Sequence, residues 1–151
     1  MTDMEMPRQI EQRLVLRLLN YWRELADDRA MPTVYDIGSK TVGDIRDDCF
    51  ILEFVESGEL VFRFVGERQK AVLGSDPAGL PLSAIDEETL LGRAVSYRAH
   101  VLERKTPVSV GGQFIDKAGQ TVLYRSILLP LGEDKITALL GCVNSRVVVL
   151  E

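Results

Sequence analysis

The sequence predicts an α+β fold, in which a five-stranded antiparallel sheet has central helices on one face and a long helix ahead of the first strand. Three observations support this prediction. The periodic segments follow one another as helix, two strands, helices and three strands. Short turns that contain glycine separate the strands within each group, and such turns join antiparallel neighbours. Residues 60–65 are apolar on both faces, which indicates a strand that is covered on both sides.

The longest helical pattern spans residues 8–29, where apolar side chains recur at steps of three and four. An ordinary surface helix needs an apolar stripe of only about 100° to cover its own core. The apolar arc here is wider, so we expect two packing partners, the sheet of the same chain and a second subunit. The candidate dimer-interface residues on this helix are Leu14, Leu18, Tyr21, Trp22 and Leu25.

The rest of the chain divides into short elements separated by glycine, proline and acidic residues. Gly74 closes the first of the central helices, since glycine adopts the left-handed conformation that ends a helix. The predicted strands are residues 49–55, 60–65, 108–115, 121–131 and 136–148, and the predicted central helices are residues 67–73 and 86–104.

The composition describes a single acidic globular domain. The chain has 151 residues, of which 46% are hydrophobic and 27% are charged. Its formal net charge of −5 disfavours a broad nucleic-acid-binding surface. The N-terminus lacks the order of a signal peptide, and no apolar run reaches the roughly 18 residues that span a bilayer. We therefore expect a cytoplasmic protein without membrane insertion, in which Cys49 and Cys142 are buried, reduced thiols.

Several short segments of the sequence are not distinctive one by one, but their order and spacing together indicate a known type of domain. In these segments the chain resembles the PAS domain, and more specifically the compact PAS variant found as short stand-alone proteins in alphaproteobacteria. The resemblance extends over residues 14–146 and implies a helical segment at residues 1–31 that caps or dimerises a PAS-like sensor domain at residues 32–151. The segments are Leu19-Asn20-Tyr21-Trp22, Arg29 with Pro32, Asp36-Ile37, Phe62-Arg63-Phe64-Val65-Gly66, Gly74-Ser75-Asp76, Gly79 and Leu128-Leu129-Pro130-Leu131.

The resemblance also implies a helical cover over the sheet, often with a cavity between them that holds a small ligand. Side chains of the strands, together with His100 of the central helix, are the candidates to contact such a ligand, and each has a second interpretation. The aromatic residues are either ligand contacts or core, and the two arginines either bind an anionic group or form ion pairs. The candidate ligand-binding residues are Phe62, Arg63, Phe64, His100, Phe114, Tyr124 and Arg125.

We expect no particular cofactor from the residues present. His100, the only histidine, lies beside the core stripe of the central helix, whereas haem ligation needs an imidazole that faces an apolar cavity. The helix at residues 67–73 has no cysteine, and this does not favour the covalent flavin photochemistry of PAS-class photosensors. One histidine and two distant cysteines do not make a zinc site.

These observations favour a stand-alone sensory or regulatory domain that acts by homodimerisation and protein–protein interaction, with gating by a small ligand left open. We expect no attached output domain after Glu151, so the output would come through a partner, through self-association or from a ligand, and a protein signalling partner is the expected case. The alternative is a small-molecule-binding protein whose cavity ligand is the function. Acid, base and nucleophile side chains are not found at diagnostic spacing, so we do not expect an enzyme.

Overall fold

The computed structural model describes residues 5–38 and 43–149, with side chains from residue 13 onward. The first element, α1, spans Glu5–Ala26. The sequence predicts an end at Arg29, but Asp27 adopts φ 54° and its N–H donates to the carbonyl of Arg23 at 3.0 Å. A residue in the left-handed region closes a helix in this way, and α1 therefore ends earlier than predicted.

Five strands form one antiparallel sheet in the order β2-β1-β5-β4-β3, which confirms the predicted fold class. The strands β2 and β3 are neighbours in sequence but lie at opposite edges. The chain between them must therefore cross the sheet, and this crossing carries the central helices over one face. The strands are β1 Cys49–Phe54, β2 Leu60–Val65, β3 Val108–Ile115, β4 Thr121–Gly132 and β5 Ile136–Val147.

The central helices are three rather than two. The first, α2, spans Glu67–Leu73 as predicted and ends at Gly74 with φ 86°. The predicted helix at residues 86–104 is wrong as a single element, because the structure divides it into α3 (Leu90–Ala94) and α4 (Arg98–Arg104). At the break the backbone hydrogen bonds span three residues instead of four, since the N–H groups of Ser96 and Arg98 donate to the carbonyls of Arg93 and Val95, each at 3.2 Å. Ser96 Oγ and Arg98 Nη1 donate to the same two carbonyls at 2.8 Å and 3.1 Å and reinforce this local tightening.

The sheet has two apolar faces, each with its own core. We call the face under α2, α3 and α4 the inner face, and the face under α1 the outer face. The inner core includes Phe50, Leu52, Phe62, Leu91, Val101, Leu128 and Leu139, and the outer core includes Val15, Leu18, Trp22, Ile51, Ile127, Leu129 and Leu140.

The described part of the chain contains no helix with the length and hydrophobicity of a membrane span.

One hydrogen bond fixes α1 to the sheet. The indole Nε1 of Trp22 donates to the carbonyl of Pro130 in β4 at 2.8 Å. Proline has no N–H, but its carbonyl is a full acceptor, and the buried indole would otherwise have lost its water partner. The outer core thus contains residues from both sides of residue 31, where the sequence predicts a boundary between the first helical segment and the sensor domain.

Candidate functional site

The inner face holds an aromatic cluster beneath the central helices, on the side of the sheet where the resemblance implies a cavity. Phe50 and Phe62 meet edge-on with their ring centroids 6.4 Å apart, and Phe114 and Tyr124 do so at 6.0 Å. The guanidinium carbon of Arg93 lies 5.4 Å from the centroid of the Phe114 ring. Phe62, Phe114 and Tyr124 are between 1% and 8% exposed, so all three are core side chains in this conformation.

A polar pair is buried beside these rings. The hydroxyls of Tyr97 and Ser126 are 2.6 Å apart, and Ser126 is fully buried. Burial raises the pKa of the Tyr97 phenol well above its usual value, so the phenol stays protonated at neutral pH. The hydrogen bond between these two neutral hydroxyls holds the residue that precedes α4 against strand β4.

Two of the predicted ligand contacts lie on the other side of the sheet. Arg63 is exposed and its Nη1 pairs with Glu53 Oε1 at 2.8 Å. Phe64 is half-buried, packs against the outer core and lies 4.4 Å below the guanidinium of Arg46, measured to the ring centroid. The structure thus favours the ion-pair interpretation for Arg63 and does not bring either residue to the inner face.

His100 lies on α4 with its side chain exposed to solvent. The neighbouring position Val101 is fully buried and takes the place on the core side of the helix. An axial haem ligand must face an enclosed apolar site, and the imidazole of His100 does not face one in this conformation. Within the described residues, His, Cys, Asp and Glu side chains form no group of three or more that could hold a metal ion.

The predicted dimer residues on α1 divide into two sets. Leu18 and Trp22 are 0% and 7% exposed and belong to the outer core of their own chain. Their assignment to a subunit interface needs correction, because the sheet already covers them. Leu14 and Tyr21 are half-buried against the same core, and Leu25 is half-buried as well.

An exposed apolar residue that sequence analysis missed is Leu16, at 53% exposure. It lies two residues before Leu18, which turns it about 200° around the helix and away from the buried stripe. Leu16 and Leu19, three residues apart, share the flank opposite to Leu14 and Tyr21. The outward-facing part of the apolar arc on α1 is therefore at Leu16 and not at Leu18 or Trp22, and a second subunit on α1 stays a prediction.

Part of the outer face next to the β3 edge is uncovered. Alternate residues of β3 point to this face, and all four are exposed. The guanidinium of Arg125 in β4 lies directly over Gly111 on this surface. A side chain at position 111 would collide with it, since a β-carbon placed on Gly111 would be only 2.9 Å from Arg125 Nη2. Its Nε is buried and has no hydrogen-bond partner among the described residues. We call this surface the open outer face; its β3 residues are Ser109, Gly111, Gln113 and Ile115.

A second concave surface lies outside the inner core, between the loop after α2 and the helices α3 and α4. This groove has a volume of about 890 Å³ and combines apolar side chains with charges of both signs. Arg93 lines it, and its buried Nε likewise lacks a partner in the described part of the chain. The lining also includes Leu82, Ile85, Glu87, Glu88, Arg98 and Leu102.

The sheet order, the crossing helices and the long first helix define a class of small α+β modules. The sequence profile of the PAS domain matches residues 10–144. The chain belongs to the PAS domain family, whose members are commonly sensory signalling modules. No curated protein matches the chain.

Solved structures with this architecture are only distantly similar in sequence. A PAS domain from Colwellia psychrerythraea is 15% identical with a TM-score of 0.44, covering 72% of this chain and 95% of its own. A LOV domain from a blue-light activated histidine kinase of Erythrobacter litoralis is 14% identical with a TM-score of 0.47, covering 66% and 95%. The PAS domain of an HTR-like protein from Haloarcula marismortui is 16% identical with a TM-score of 0.42, covering 93% and 99%.

Proposed function

We propose that this protein is a cytoplasmic, non-catalytic sensory or regulatory module that works as a homodimer and passes its signal to a protein partner. The supporting observation is the exposed flank of α1 next to an uncovered area of sheet. Leu16 is 53% exposed and Ile115 on the open outer face is 64% exposed. We infer that these two side chains belong to one surface that another molecule covers, since apolar patches, unlike single exposed residues, mark interaction sites.

In this dimer, α1 of each copy contributes Leu16 and the open outer face receives it. Arg125 supports the arrangement, because its guanidinium lies on that face, over Gly111. A carboxylate from a second copy or from a signalling partner would pair with guanidinium nitrogens other than the buried Nε. The helix would then be the moving element, since it contacts both its own sheet and the second copy.

Native mass spectrometry of two variants tests the dimer. Leu16→Glu introduces a charge on the exposed flank, and we expect it to weaken self-association by about thirtyfold or more, because a central interface side chain contributes on the order of 2 kcal/mol or more. The matched control is Val72→Glu in α2, which is 56% exposed and lies away from α1. The control should remain a dimer, and both variants should keep the far-ultraviolet circular dichroism of the parent.

A monomeric parent protein, or a Leu16→Glu variant that dimerises like Val72→Glu, would rule out this interface. The same spectra address the alternative function. The groove lined by Arg93 and Arg98 beside Leu82 and Ile85 has the chemistry to bind an amphipathic anion. Parent protein that carries extra non-covalent mass after gentle purification would favour a ligand-binding protein, or a dimer gated by that ligand.

A further inference from the structure

The two cysteines of this chain lie directly opposite each other on neighbouring strands. Cys49 is the first residue of β1 and is the register partner of Cys142 in β5. They are 2% and 0% exposed, and both belong to the outer core beneath α1. Sequence separation hides this pairing completely, since 92 residues lie between the two positions.

The backbone hydrogen bonds show which type of antiparallel pair this is. The N–H of Gly66 donates to the carbonyl of Cys49 at 2.8 Å, so the backbone polar groups of Cys49 point towards β2. Cys49 therefore faces Cys142 as a non-hydrogen-bonded pair, in which Cα atoms are about 4.5 Å apart. A disulfide spans Cα separations of about 4.4–6.8 Å, so the bond fits the existing register of the sheet.

The helix α1 and the segment before β1 shield this pair. The Cys49 thiol donates to the carbonyl of Ile45 at 3.3 Å, within the 3₁₀ helix at Gly43–Asp48. Arg17 of α1 forms an ion pair with Asp44 of the same 3₁₀ helix. Burial raises the pKa of Cys49 to about 12 and that of Cys142 well above its usual value. Because the thiolate is the reactive form, both sulfurs are inert while α1 is docked.

We propose that Cys49 and Cys142 are a cross-strand dithiol–disulfide couple that peroxide oxidises only when α1 lifts from the outer face. The register of the two strands, and not a second subunit, supports this inference, so it stands independently of the proposed dimer. A disulfide formed during such an opening would join β1 to β5 and would persist after the helix returns.

The chemistry balances with hydrogen peroxide as the oxidant. One thiolate attacks a peroxide oxygen; the O–O bond breaks, a sulfenic acid forms, and hydroxide leaves and takes up a proton as water. The second thiolate attacks the sulfenic sulfur; the S–S bond forms, the S–O bond breaks, and a second water results. The two thiols lose two electrons and two protons in total, and peroxide is reduced to two waters.

The test follows disulfide formation in the full chain during exposure to dilute hydrogen peroxide, by intact mass after the peroxide is quenched and the remaining thiols are alkylated in denaturant. We compare the parent with Trp22→Phe, which removes the hydrogen bond from α1 to Pro130, and with Tyr97→Phe, which removes a buried hydroxyl on the inner face. Each variant loses one buried hydrogen bond from one aromatic side chain. Arg17→Gln is a second, surface variant that loosens α1 without altering the core.

The expected product has lost two hydrogen atoms and no longer alkylates, and neither Cys49→Ser nor Cys142→Ser forms it. Trp22→Phe should accelerate its formation about tenfold, because a lost buried hydrogen bond changes the opening equilibrium by about that factor. Arg17→Gln should accelerate it as well, whereas Tyr97→Phe should stay within about twofold of the parent. Oxidation to sulfinic acid or only to intermolecular disulfides overturns the couple, and equal rates in Trp22→Phe and Tyr97→Phe overturn the gating by α1.

Discussion

The two faces of the sheet are covered in different ways. Three short helices and the loops between them close the inner face, so its core is held from several directions. On the outer face α1 is the long covering element, the segment between α1 and β1 adds Met31, Val34 and Ile45, and the β3 edge stays open. Displacing α1 would therefore remove most of the helical cover of the outer core, whereas the inner core is shared among three helices.

This difference suggests which face defines the fold and which face can change. The inner face carries the aromatic pairs and the Tyr97–Ser126 hydrogen bond, which orient several elements together. The outer face carries the thiol pair, the flat guanidinium of Arg125 and the exposed Leu16, all within or beside the area of α1. The thiols that an oxidant could attack and the side chains that a partner could contact thus lie on the face that one long helix mainly covers.

The largest effect is expected from Leu18→Glu, which places a carboxylate at a fully buried position of the outer core. We expect a loss of about 4 kcal/mol or more in the free energy of unfolding, or release of α1, because an unpaired buried charge is among the most destabilising changes. Trp22 is the only tryptophan, so a red shift of its emission reports undocking of the helix. Urea unfolding followed by circular dichroism measures the stability; parent-like emission and stability would contradict the assigned role of α1.

On the inner face, Phe62→Ala should lower the free energy of unfolding by about 3–5 kcal/mol, since Phe62 is 1% exposed and its loss leaves a cavity. The emission of Trp22 in the folded state should stay unchanged, because the sheet separates the two cores. The measurement is urea unfolding read at both tryptophan emission and far-ultraviolet dichroism. A red-shifted native emission in Phe62→Ala would show that the two faces are not independent.

The smallest expected effect lies at the turn that follows α1. Asp36 Oδ2 accepts from the N–H of Thr33 at 2.8 Å and pairs with Arg29 Nη1 at 3.0 Å. These contacts, the Thr33 bond first, hold the pKa of Asp36 below its usual value. Asp36→Ala should therefore lower the free energy of unfolding by about 1 kcal/mol at pH 7, while Asp36→Asn keeps an acceptor and loses less.

The pH dependence of this difference has a defined sign. A carboxyl group with a lowered pKa in the folded state contributes stability above its unfolded pKa, near 3.9, and that contribution disappears as the pH falls through the lower folded value. The gap between the parent and Asp36→Ala should thus be full at pH 7 and shrink below about pH 4. Urea unfolding of both proteins at several pH values measures it; a gap that widens in acid would exclude the charged form as the stabilising one.

Local patterns were sufficient for most of the fold. The strand at Leu60–Val65 and the helix at Glu67–Leu73 match their predicted bounds. Both depend on signals within a few residues, the apolar alternation of the strand and Gly74 at the end of the helix. The split between α3 and α4 was missed because apolar periodicity runs through it. Only the actual hydrogen bonds of Ser96 and Arg98 to nearby carbonyls reveal that the helix is interrupted.

The candidate site was harder to predict, since a residue's face depends on the register of the sheet. A register shift between Ile51 and Leu52 in the pairing of β1 with β2 accompanies the placement of Phe62 on the inner face and of Phe64 against the outer core. Simple alternation along the strand predicts Phe62 and Phe64 on the same side. Irregularities of this kind change which side chains share a face without leaving a clear mark in the sequence.

By itself the sequence determined the class of fold, the order of the elements and the presence of a first helix with more apolar surface than one sheet needs. These properties depend on periodicity and on turn residues, which act over a few positions. The tertiary structure decided that Leu18 and Trp22 face inwards while Leu16 faces outwards, and that Cys49 meets Cys142. Such pairings join residues far apart in the chain, and they exist only once strand order and register have been established.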